Sequence, residues 1–310
     1  MKNLPPVAIT IRSFDLLGPA QKKLQEHCTI SFTNTTGKRL SEAGLVHAIS
    51  DSEGVIAGTE MFSSEILSQC NSLRVISRVG VGTDSIDLKA AQSHGIRVLT
   101  TPNSPVQAVA EHTLALLLSA MKHIPQYNEQ MRKNDPALIP GSLLFGKTVG
   151  IAGIGRVGSR VAEMLENLGC HICFFDPLLS RETPPSWTRL TSLEDLIKNV
   201  DILSIHSAPL PDGTPLITNE VLSLAKGIML INTARGSLID EESLISALLS
   251  GEVKSAALDV FPSEPYTGEL LKFSQVIVTP HVASNTTESR SLMEMEAVNN
   301  IIQFFREVNA

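Results

Sequence analysis

The sequence predicts an α/β protein with doubly wound parallel sheets, and three observations support this fold class. Short apolar runs alternate with amphipathic, turn-bounded stretches through most of the 310 residues. The alternation restarts at Lys147, after a long stretch with helical spacing. Hydrophobic residues make up 43% of the chain, as in a folded protein, and this length corresponds to about two domains. We therefore expect two α/β domains.

The first third of the chain carries the first alternation. Apolar runs bounded by turn residues predict strands at 7–11, 54–58 and 73–79, and an amphipathic stretch predicts a helix from Ala20 to His27. Pro105 then starts a longer helix that is predicted from Val106 to about Met131. Breaker residues predict a loop from Asp135 to Gly146.

The second alternation begins with a strand at 148–153 and a helix that Gly169 ends. Further helices are predicted from near Ser192 and from Glu241 to Leu249. The remaining predicted strands lie at 171–176, 201–207, 228–232, 255–260 and 275–280. One amphipathic helix, 286–310, closes the chain.

Composition excludes several classes of partner. Lys and Arg total 25 against 32 Asp and Glu, a net charge of −7 with no basic block, so nucleic-acid binding is not expected. The longest apolar stretch, 114–121, is far shorter than the roughly 20 residues of a membrane span. The apolar run before Arg12 is too short for a signal peptide, so we expect a cytoplasmic protein without a membrane partner.

Three glycines form a G-x-G-x-x-G turn between a predicted strand and a predicted helix. Gly153 permits a tight turn, Gly155 lets the backbone approach a pyrophosphate, and Gly158 lets helix and strand pack closely. Asp176 closes the next predicted strand, where a carboxylate binds ribose hydroxyls and repels a 2′-phosphate. The turn predicts dinucleotide binding, with NAD favoured over NADP, although the nearby Arg181 keeps NADP open.

Polar residues follow the later predicted strands. In an open parallel sheet, ligands bind beyond the carboxyl ends of the strands, and Arg235, Asp259, Glu264 and His281 all follow such ends. A histidine can supply the proton that a carbonyl needs when it receives hydride, and an arginine can clamp a carboxylate. This set predicts hydride transfer between NAD and a 2-oxo or 2-hydroxy acid, without a metal.

Six segments carry a resemblance to a known family. The chain resembles the D-isomer-specific 2-hydroxyacid dehydrogenases, especially the D-3-phosphoglycerate dehydrogenase-like branch. The segments are the glycine turn with Asp176, NTARG at 232–236, ALDVFPSEP at 257–265, TPH at 279–281, RVGVGTDSIDL at 78–88 and TPNSPVQAVAEHT at 101–113.

The resemblance implies a doubly wound parallel-sheet NAD-binding domain of Rossmann type inserted into a flavodoxin-like α/β substrate domain. The substrate domain would comprise residues 1–103 plus 285–310, and the NAD-binding domain residues 104–284. It also implies a homodimer formed through the NAD-binding domain, and a C-terminal helix that returns to the first domain.

The resemblance also implies site residues. Its catalytic roles fall on Arg235, Glu264 and His281. Together with the glycine turn and the strand ends, it predicts cofactor contacts at Val81, Gly153, Gly155, Arg156, Val157, Gly158, Asp176, His206, Ser207, Thr233, Ala234, Asp259, Ala283 and Ser284. The substrate contacts would be Arg78, Val79, Gly80, Arg235 and His281, with the backbone N–H groups of the 78–82 loop binding the substrate carboxylate.

The sequence departs from the family at two points. Pro105 stands where the family often has Asn, which puts one cofactor or hinge contact in question. The loop at 56–62 lacks the Arg found in phosphoglycerate enzymes, which argues against a phosphorylated substrate. D-3-phosphoglycerate, hydroxypyruvate and glyoxylate all remain open as substrate types.

Other functions also remain open. A non-catalytic NAD(H)-sensing protein on the same scaffold can retain the Arg, Glu and His set, and a formate or phosphite dehydrogenase is a third reading. A short-chain dehydrogenase is excluded, because that class needs a Lys four residues after a Tyr. Tyr127 and Tyr266 are instead followed at that spacing by Met131 and Leu270.

Overall fold

Two parallel β-sheets organise the chain, one in each of the units into which its contacts divide it. The structure is a computed structural model that describes residues 4–134 and 138–308. The ends of the predicted first domain, 1–3 and 309–310, and residues 135–137 of the predicted loop lie outside the described residues. No helix in the described ranges is both long enough and apolar enough to span a bilayer.

The first unit comprises Met1–Pro105 and Thr286–Ala310. Its strands, all parallel, are β1 (Pro6–Ile9), β2 (Thr29–Thr33), β3 (Gly54–Ala57), β4 (Val75–Arg78) and β5 (Arg97–Leu99). Its helices are α1 (Pro19–His27), α2 (Glu42–Ile49), α3 (Ser64–Leu67), α4 (Leu88–Ser93) and the last helix of the chain, α11 (Thr287–Val308). The strand order β2-β1-β3-β4-β5 is that of flavodoxin-like sheets.

Helix α11 packs on this first sheet. Its buried face, which includes Met293, Ala297, Val298 and Ile301, contacts α1 and strands β3 and β4. The Ser77 hydroxyl donates to the Ala297 carbonyl at 2.9 Å, which fixes the helix on the sheet. The final helix therefore belongs to the core of the unit formed by the first third of the chain.

The second unit, Val106–Asn285, carries a seven-stranded sheet. Its strands, also parallel, are β6 (Thr148–Ala152), β7 (His171–Phe175), β8 (Thr188–Arg189), β9 (Ile202–Ile205), β10 (Ile228–Asn232), β11 (Val253–Leu258) and β12 (Val276–Val278). Its helices are α5 (Val106–Met121), α6 (Ile124–Arg132), α7 (Arg156–Asn167), α8 (Leu193–Lys198), α9 (Asn219–Leu222) and α10 (Glu241–Ser250). The order β12-β11-β10-β9-β6-β7-β8 is doubly wound, so the predicted fold class is confirmed.

Local capping explains where several of these helices begin and end. The Asp240 side chain accepts the Ser243 N–H at 2.8 Å and caps α10, which Gly251 ends with a φ of 92°. The Ser192 hydroxyl caps α8 in the same way by accepting the Asp195 N–H. Both helices were expected at these positions.

One predicted helix is wrong in the structure. The stretch from Val106 to Met131 forms two helices, α5 and α6, because His123 adopts a left-handed conformation with a φ of 53°. Pro125 then stands in the first turn of α6, where its missing N–H costs nothing. Strands β2, β5 and β8 were not predicted, since their side chains are largely half-exposed or exposed and give a weak apolar signal.

Candidate active site

The glycine turn between β6 and α7 forms an open anion site. Gly153 has a φ of 93°, and a side chain there would collide with Ser207. A Cβ at Gly158 would overlap the Gly153 carbonyl oxygen, so glycine is required for the close approach of helix and strand. A Cβ at Gly155 would meet no atom within 4 Å.

The N-terminus of α7 is therefore available to a ligand. Gly155 is its N-cap and supplies no side-chain hydrogen bond to the first turn. Arg156 is exposed at the first helical position, and Val157 follows it. An uncapped helix N-terminus next to open space and a cation fits the pyrophosphate of a dinucleotide.

Asp176 lies directly after β7 and is bound to the glycine turn. Its Oδ2 accepts the Ile154 N–H at 2.9 Å, and its Oδ1 accepts the Leu178 N–H at 3.0 Å. The Arg181 guanidinium donates to the Ile154 carbonyl at 2.9 Å and to the Ser159 hydroxyl. Arg189 donates to the Asp176 carbonyl at 2.9 Å. The turn thus carries a carboxylate and two guanidinium groups close together.

His206 and Ser207 follow strand β9. The Ser207 hydroxyl donates to the Ala152 carbonyl at 3.0 Å, which ties the end of β9 to the start of the glycine turn. His206 Nε2 lies 2.8 Å from Ser204 Oγ, and the ring is half-buried. Burial lowers the pKa of His206 to about 4, so the ring is neutral at pH 7.

Arg235 stands on a loop that is fixed at both sides. The Asn232 side chain caps this loop by donating to the Arg235 carbonyl at 2.8 Å and accepting the Ala234 N–H at 2.9 Å. The Thr233 hydroxyl lies 2.9 Å from that of Thr113 on α5. Gly236 packs against the Phe261 backbone so closely that a Cβ would overlap it. The half-buried Arg235 donates to the Ala234 carbonyl at 2.6 Å.

Glu264 and His281 form a pair on the loops after β11 and β12. The Nδ1 atom of His281 lies 2.9 Å from Glu264 Oε2, and the Phe261 N–H donates to Glu264 Oε1 at 3.2 Å. The histidine side chain is 47% exposed. Its backbone has a φ of 54°, in the left-handed region that few non-glycine residues occupy. The pairing uses Nδ1 and leaves Nε2 for another group.

Asp259, at the end of β11, is fully buried and organises the loop that carries His281. Its Oδ1 accepts the Thr279 hydroxyl at 2.5 Å and the Val282 N–H at 2.9 Å, and its Oδ2 accepts the Ala283 N–H at 2.9 Å. Burial alone raises the pKa of Asp259, but hydrogen bonds from His112, Thr279 and these backbone groups hold it below its usual range. Ser284, half-exposed, follows this turn.

The predicted substrate loop lies after β4 in the first unit. The Val79 N–H donates to the Ala57 carbonyl at 2.8 Å, and the Gly80 N–H donates to Thr101 Oγ1 at 2.8 Å. Gly80 has a φ of 139°, and a Cβ there would overlap the Arg78 side chain. Val81 is 49% exposed. Two of the predicted N–H groups, those of Val79 and Gly80, are thus engaged within the unit.

In the second unit, the structure brings the predicted residues to one edge of the sheet. Strands β6, β9, β10, β11 and β12 are neighbours and parallel, so the segments after them share the carboxyl edge.

The sequence did not predict His112 and Thr113 of α5 or Thr279 as site residues. Only the helix packing brings α5 under these loops, so no spacing in the sequence could have identified the contacts. Among the described residues, no group of three His, Cys, Asp or Glu could hold a metal ion.

The doubly wound sheet, the open glycine turn and the acid after the second strand define the class of dinucleotide-binding α/β proteins. The chain belongs to the D-isomer specific 2-hydroxyacid dehydrogenase family, whose NAD binding domain model matches residues 114–283. The resemblance expected from the sequence is therefore confirmed.

The matches to named relatives cover different shares of those proteins. The chain is 38% identical to D-3-phosphoglycerate dehydrogenase of Mycobacterium tuberculosis over 232 residues, which are 73% of this chain and 44% of that protein. It is 37% identical to glyoxylate reductase of Aeropyrum pernix over 260 residues, 79% of this chain and 77% of that protein. The chain thus spans less than half of the first relative.

A solved structure matches nearly the whole fold. The NADPH-dependent glyoxylate/hydroxypyruvate reductase of Sinorhizobium meliloti, in complex with NADP and malonate, superposes with a TM-score of 0.84. The identity is 29%, and the match covers 97% of this chain and 93% of that one.

Proposed function

We propose that the protein is an NAD-dependent oxidoreductase that interconverts a D-2-hydroxy acid and the corresponding 2-oxo acid. The observation that carries this proposal is the Glu264–His281 pair, on the same sheet edge as the glycine turn and Arg235. A histidine that is paired through Nδ1 and whose Nε2 has no partner among the described residues is suited to move a proton to or from a substrate oxygen. Membership of the family supports the reaction class.

Each of the three residues has a distinct role in the proposed reaction. NADH, when bound, supplies the hydride that reduces the carbonyl carbon. His281 donates the proton on Nε2 to the carbonyl oxygen and so converts it to a hydroxyl. Glu264 holds the ring through Nδ1 and so orients Nε2 toward the substrate. Arg235 binds the carboxylate and stabilises negative charge on the neighbouring oxygen.

We assign the cofactor as NAD rather than NADP. The Asp176 carboxylate directly follows β7, where an acid in this type of fold binds the ribose hydroxyls, and it would repel a 2′-phosphate. Arg181 and Arg189 lie beside it and would weaken this discrimination.

We also assign carboxylate binding to the Val81 and Gly82 N–H groups, with residues 1–103 plus 285–310 as the substrate domain.

We further propose a cytoplasmic homodimer that forms through the NAD-binding unit. Leu138, Leu143 and Phe145 are 91%, 71% and 76% exposed within eight residues of that unit, which is typical of a surface that is covered in an assembly. Light scattering tests this: we expect a mass of twice 33.4 kDa. A monomer at micromolar concentration would contradict the dimer without affecting the reaction.

NADH oxidation with a panel of 2-oxo acids tests the reaction. We expect turnover with at least one unphosphorylated acid such as glyoxylate or hydroxypyruvate, and a higher kcat/KM with NADH than with NADPH. Formate and phosphite with NAD provide the comparison for the other dehydrogenase reading. NADH binding without turnover in every assay would favour a non-catalytic NAD(H) sensor, and a preference for NADPH would overturn the cofactor assignment.

A further inference from the structure

His112, in the second turn of α5, contacts the loop that carries His281. Its Nε2 lies 3.1 Å from Thr279 Oγ1 and 3.3 Å from Asp259 Oδ1. Thr279 stands two residues before His281 in the chain, and Asp259 accepts hydrogen bonds from that same turn. The His112 side chain is 21% exposed, so it is one of the less buried members of this network.

The hydrogen-bond partners define which atom donates. Thr279 has a single hydroxyl proton, and it lies on the 2.5 Å hydrogen bond to Asp259 Oδ1. Thr279 Oγ1 can therefore only accept from His112, and Nε2 must carry the proton. The same N–H also reaches Asp259 Oδ1. A glutamine amide could replace this donor, whereas a leucine could not.

This donor acts on a carboxylate that has no access to water. Asp259 is 0% exposed, and a buried anion requires hydrogen bonds on all sides. The Thr279 hydroxyl and the Val282 and Ala283 N–H groups supply three of them, and His112 supplies the fourth. The turn from Thr279 to Ala283 is thus wrapped around Asp259.

The backbone of His281 depends on the same turn. Its N–H donates to the Asp259 carbonyl at 2.8 Å and to the Thr279 carbonyl at 3.0 Å, and its φ is 54°. A left-handed conformation at a non-glycine residue costs on the order of 1 kcal/mol or more and persists only where the surroundings enforce it. A loss of one donor to Asp259 would therefore loosen the position of the imidazole.

We propose that His112 is a positioning residue: the hydrogen bond from its Nε2 to Asp259 and Thr279 fixes the turn on which His281 stands. The proposal rests on the proposed function, because its effect on rate requires His281 to act on a substrate. Thr113, the next residue on α5, contacts Thr233 in the loop of Arg235, so one turn of this helix touches both loops.

Three substitutions at one position test the donor. His112→Leu removes it, and we expect kcat to fall about tenfold to a hundredfold, since small displacements of a catalytic group are costly. The dissociation constant of NADH should stay within about threefold, because the glycine turn is untouched. His112→Gln should restore kcat to within about threefold of the wild type. His112→Asn, which is too short to reach the Nε2 position, is a second variant without the donor should the leucine variant fail to fold.

A matched control comes from the same helix. Ser119 lines, with His112, a cavity of about 460 Å³ but has no hydrogen bond to Asp259 or Thr279 among the described residues. Ser119→Ala should therefore leave kcat unchanged. A kcat of His112→Leu within twofold of the wild type, or a His112→Gln variant as slow as the leucine variant, would overturn the proposal.

Hydrogen–deuterium exchange separates this proposal from the proposed function. The amides of Val282 and Ala283 donate to Asp259, so a peptide covering 279–285 should exchange faster in His112→Leu and at the wild-type rate in His112→Gln. This readout needs no substrate. If the wild type reduces no 2-oxo acid, the proposed function fails while faster exchange still supports the role of His112. Equal exchange in all variants would overturn that role.

Discussion

At the scale of single residues, the proposed proton transfer depends on the hydrogen bond between Glu264 and His281. The 2.9 Å contact joins a carboxylate to Nδ1, so the imidazole ring is held in one orientation. Glu264→Gln keeps the shape of the side chain but removes the negative charge. We expect kcat to fall about 10- to 100-fold at pH 7, with NADH affinity unchanged.

The control for this substitution is Glu269→Gln. Glu269 is an exposed carboxylate a few residues later, paired with Lys272, and its loss should leave steady-state kinetics unaltered. Equal rates in Glu264→Gln and the wild type would remove Glu264 from the mechanism.

His206 gives the structure a pH-dependent stability. Its pKa is about 4 in the folded state against 6.5 for an unperturbed ring, because of burial. Between these two values the unfolded chain binds the proton and the folded chain does not, so stability falls as the pH drops from about 6.5 toward 4. At pH 5 the loss is on the order of 1 to 2 kcal/mol, reduced because the ring is only half-buried.

Thermal unfolding of the wild type and His206→Gln measures this contribution. The midpoint of the wild type should fall by more degrees between pH 7.5 and pH 5 than that of the variant, whose amide does not titrate. Parallel decreases in the two proteins would mean that other groups determine the acid sensitivity.

Residue positions were only partly predictable. Arg235, Glu264 and His281 could be expected together, because each follows the end of a parallel strand and such ends share one edge. The contacts of His112 could not be expected, since they depend on how α5 packs against β11 and β12. The hydrogen bonds from the Val79 and Gly80 N–H groups to Ala57 and Thr101 could not be predicted from the sequence either.

At the scale of elements, two glycines of the turn between β6 and α7 have different roles. We expect Gly155 to matter for cofactor binding and Gly158 to matter for the stability of the fold. Gly155 has an ordinary φ of −67° and open space in front of it, whereas a side chain at Gly158 would overlap the Gly153 carbonyl. Gly155→Ala should leave the thermal midpoint within about 2 °C but weaken NADH binding about tenfold or more, because the new methyl group enters the pyrophosphate space. Gly158→Ala should destabilise the fold by about 1 to 3 kcal/mol.

Isothermal titration with NADH and thermal unfolding of both variants provide the comparison. If Gly155→Ala binds NADH as tightly as the wild type, the pyrophosphate does not lie at this helix end. If Gly158→Ala is as stable as the wild type, a Cβ at residue 158 does not collide with the Gly153 carbonyl oxygen.

Elements were predictable where the apolar signal was strong. The buried strands β1, β3, β6 and β9 have mainly apolar sequences, as strands covered on both faces do. Strand β2 pairs on one side only and its side chains are half-exposed or exposed, so its apolar signal is weak. The end of α5 was missed because a histidine rather than a glycine adopts the left-handed conformation at residue 123.

At the scale of the whole molecule, the chain order explains why one sequence makes two units. The second unit, 106–285, is inserted between the first sheet and helix α11, and each unit has its own parallel sheet. The restart of the alternation at Lys147 made two domains predictable from the sequence. The oligomeric state and the substrate could not be predicted in this way, because they depend on surface residues and not on the alternation of strands and helices.

The kinetics of His281→Ala test the central claim most directly. With the 2-oxo acid that the wild type reduces best, we expect kcat to fall by roughly 10² to 10⁴, because the substitution removes the proposed proton donor. The dissociation constant of NADH, measured by titration on the same preparation, should change less than threefold. Near-normal turnover in His281→Ala would contradict the account, and the chemistry would then have to be assigned to another group on this sheet edge.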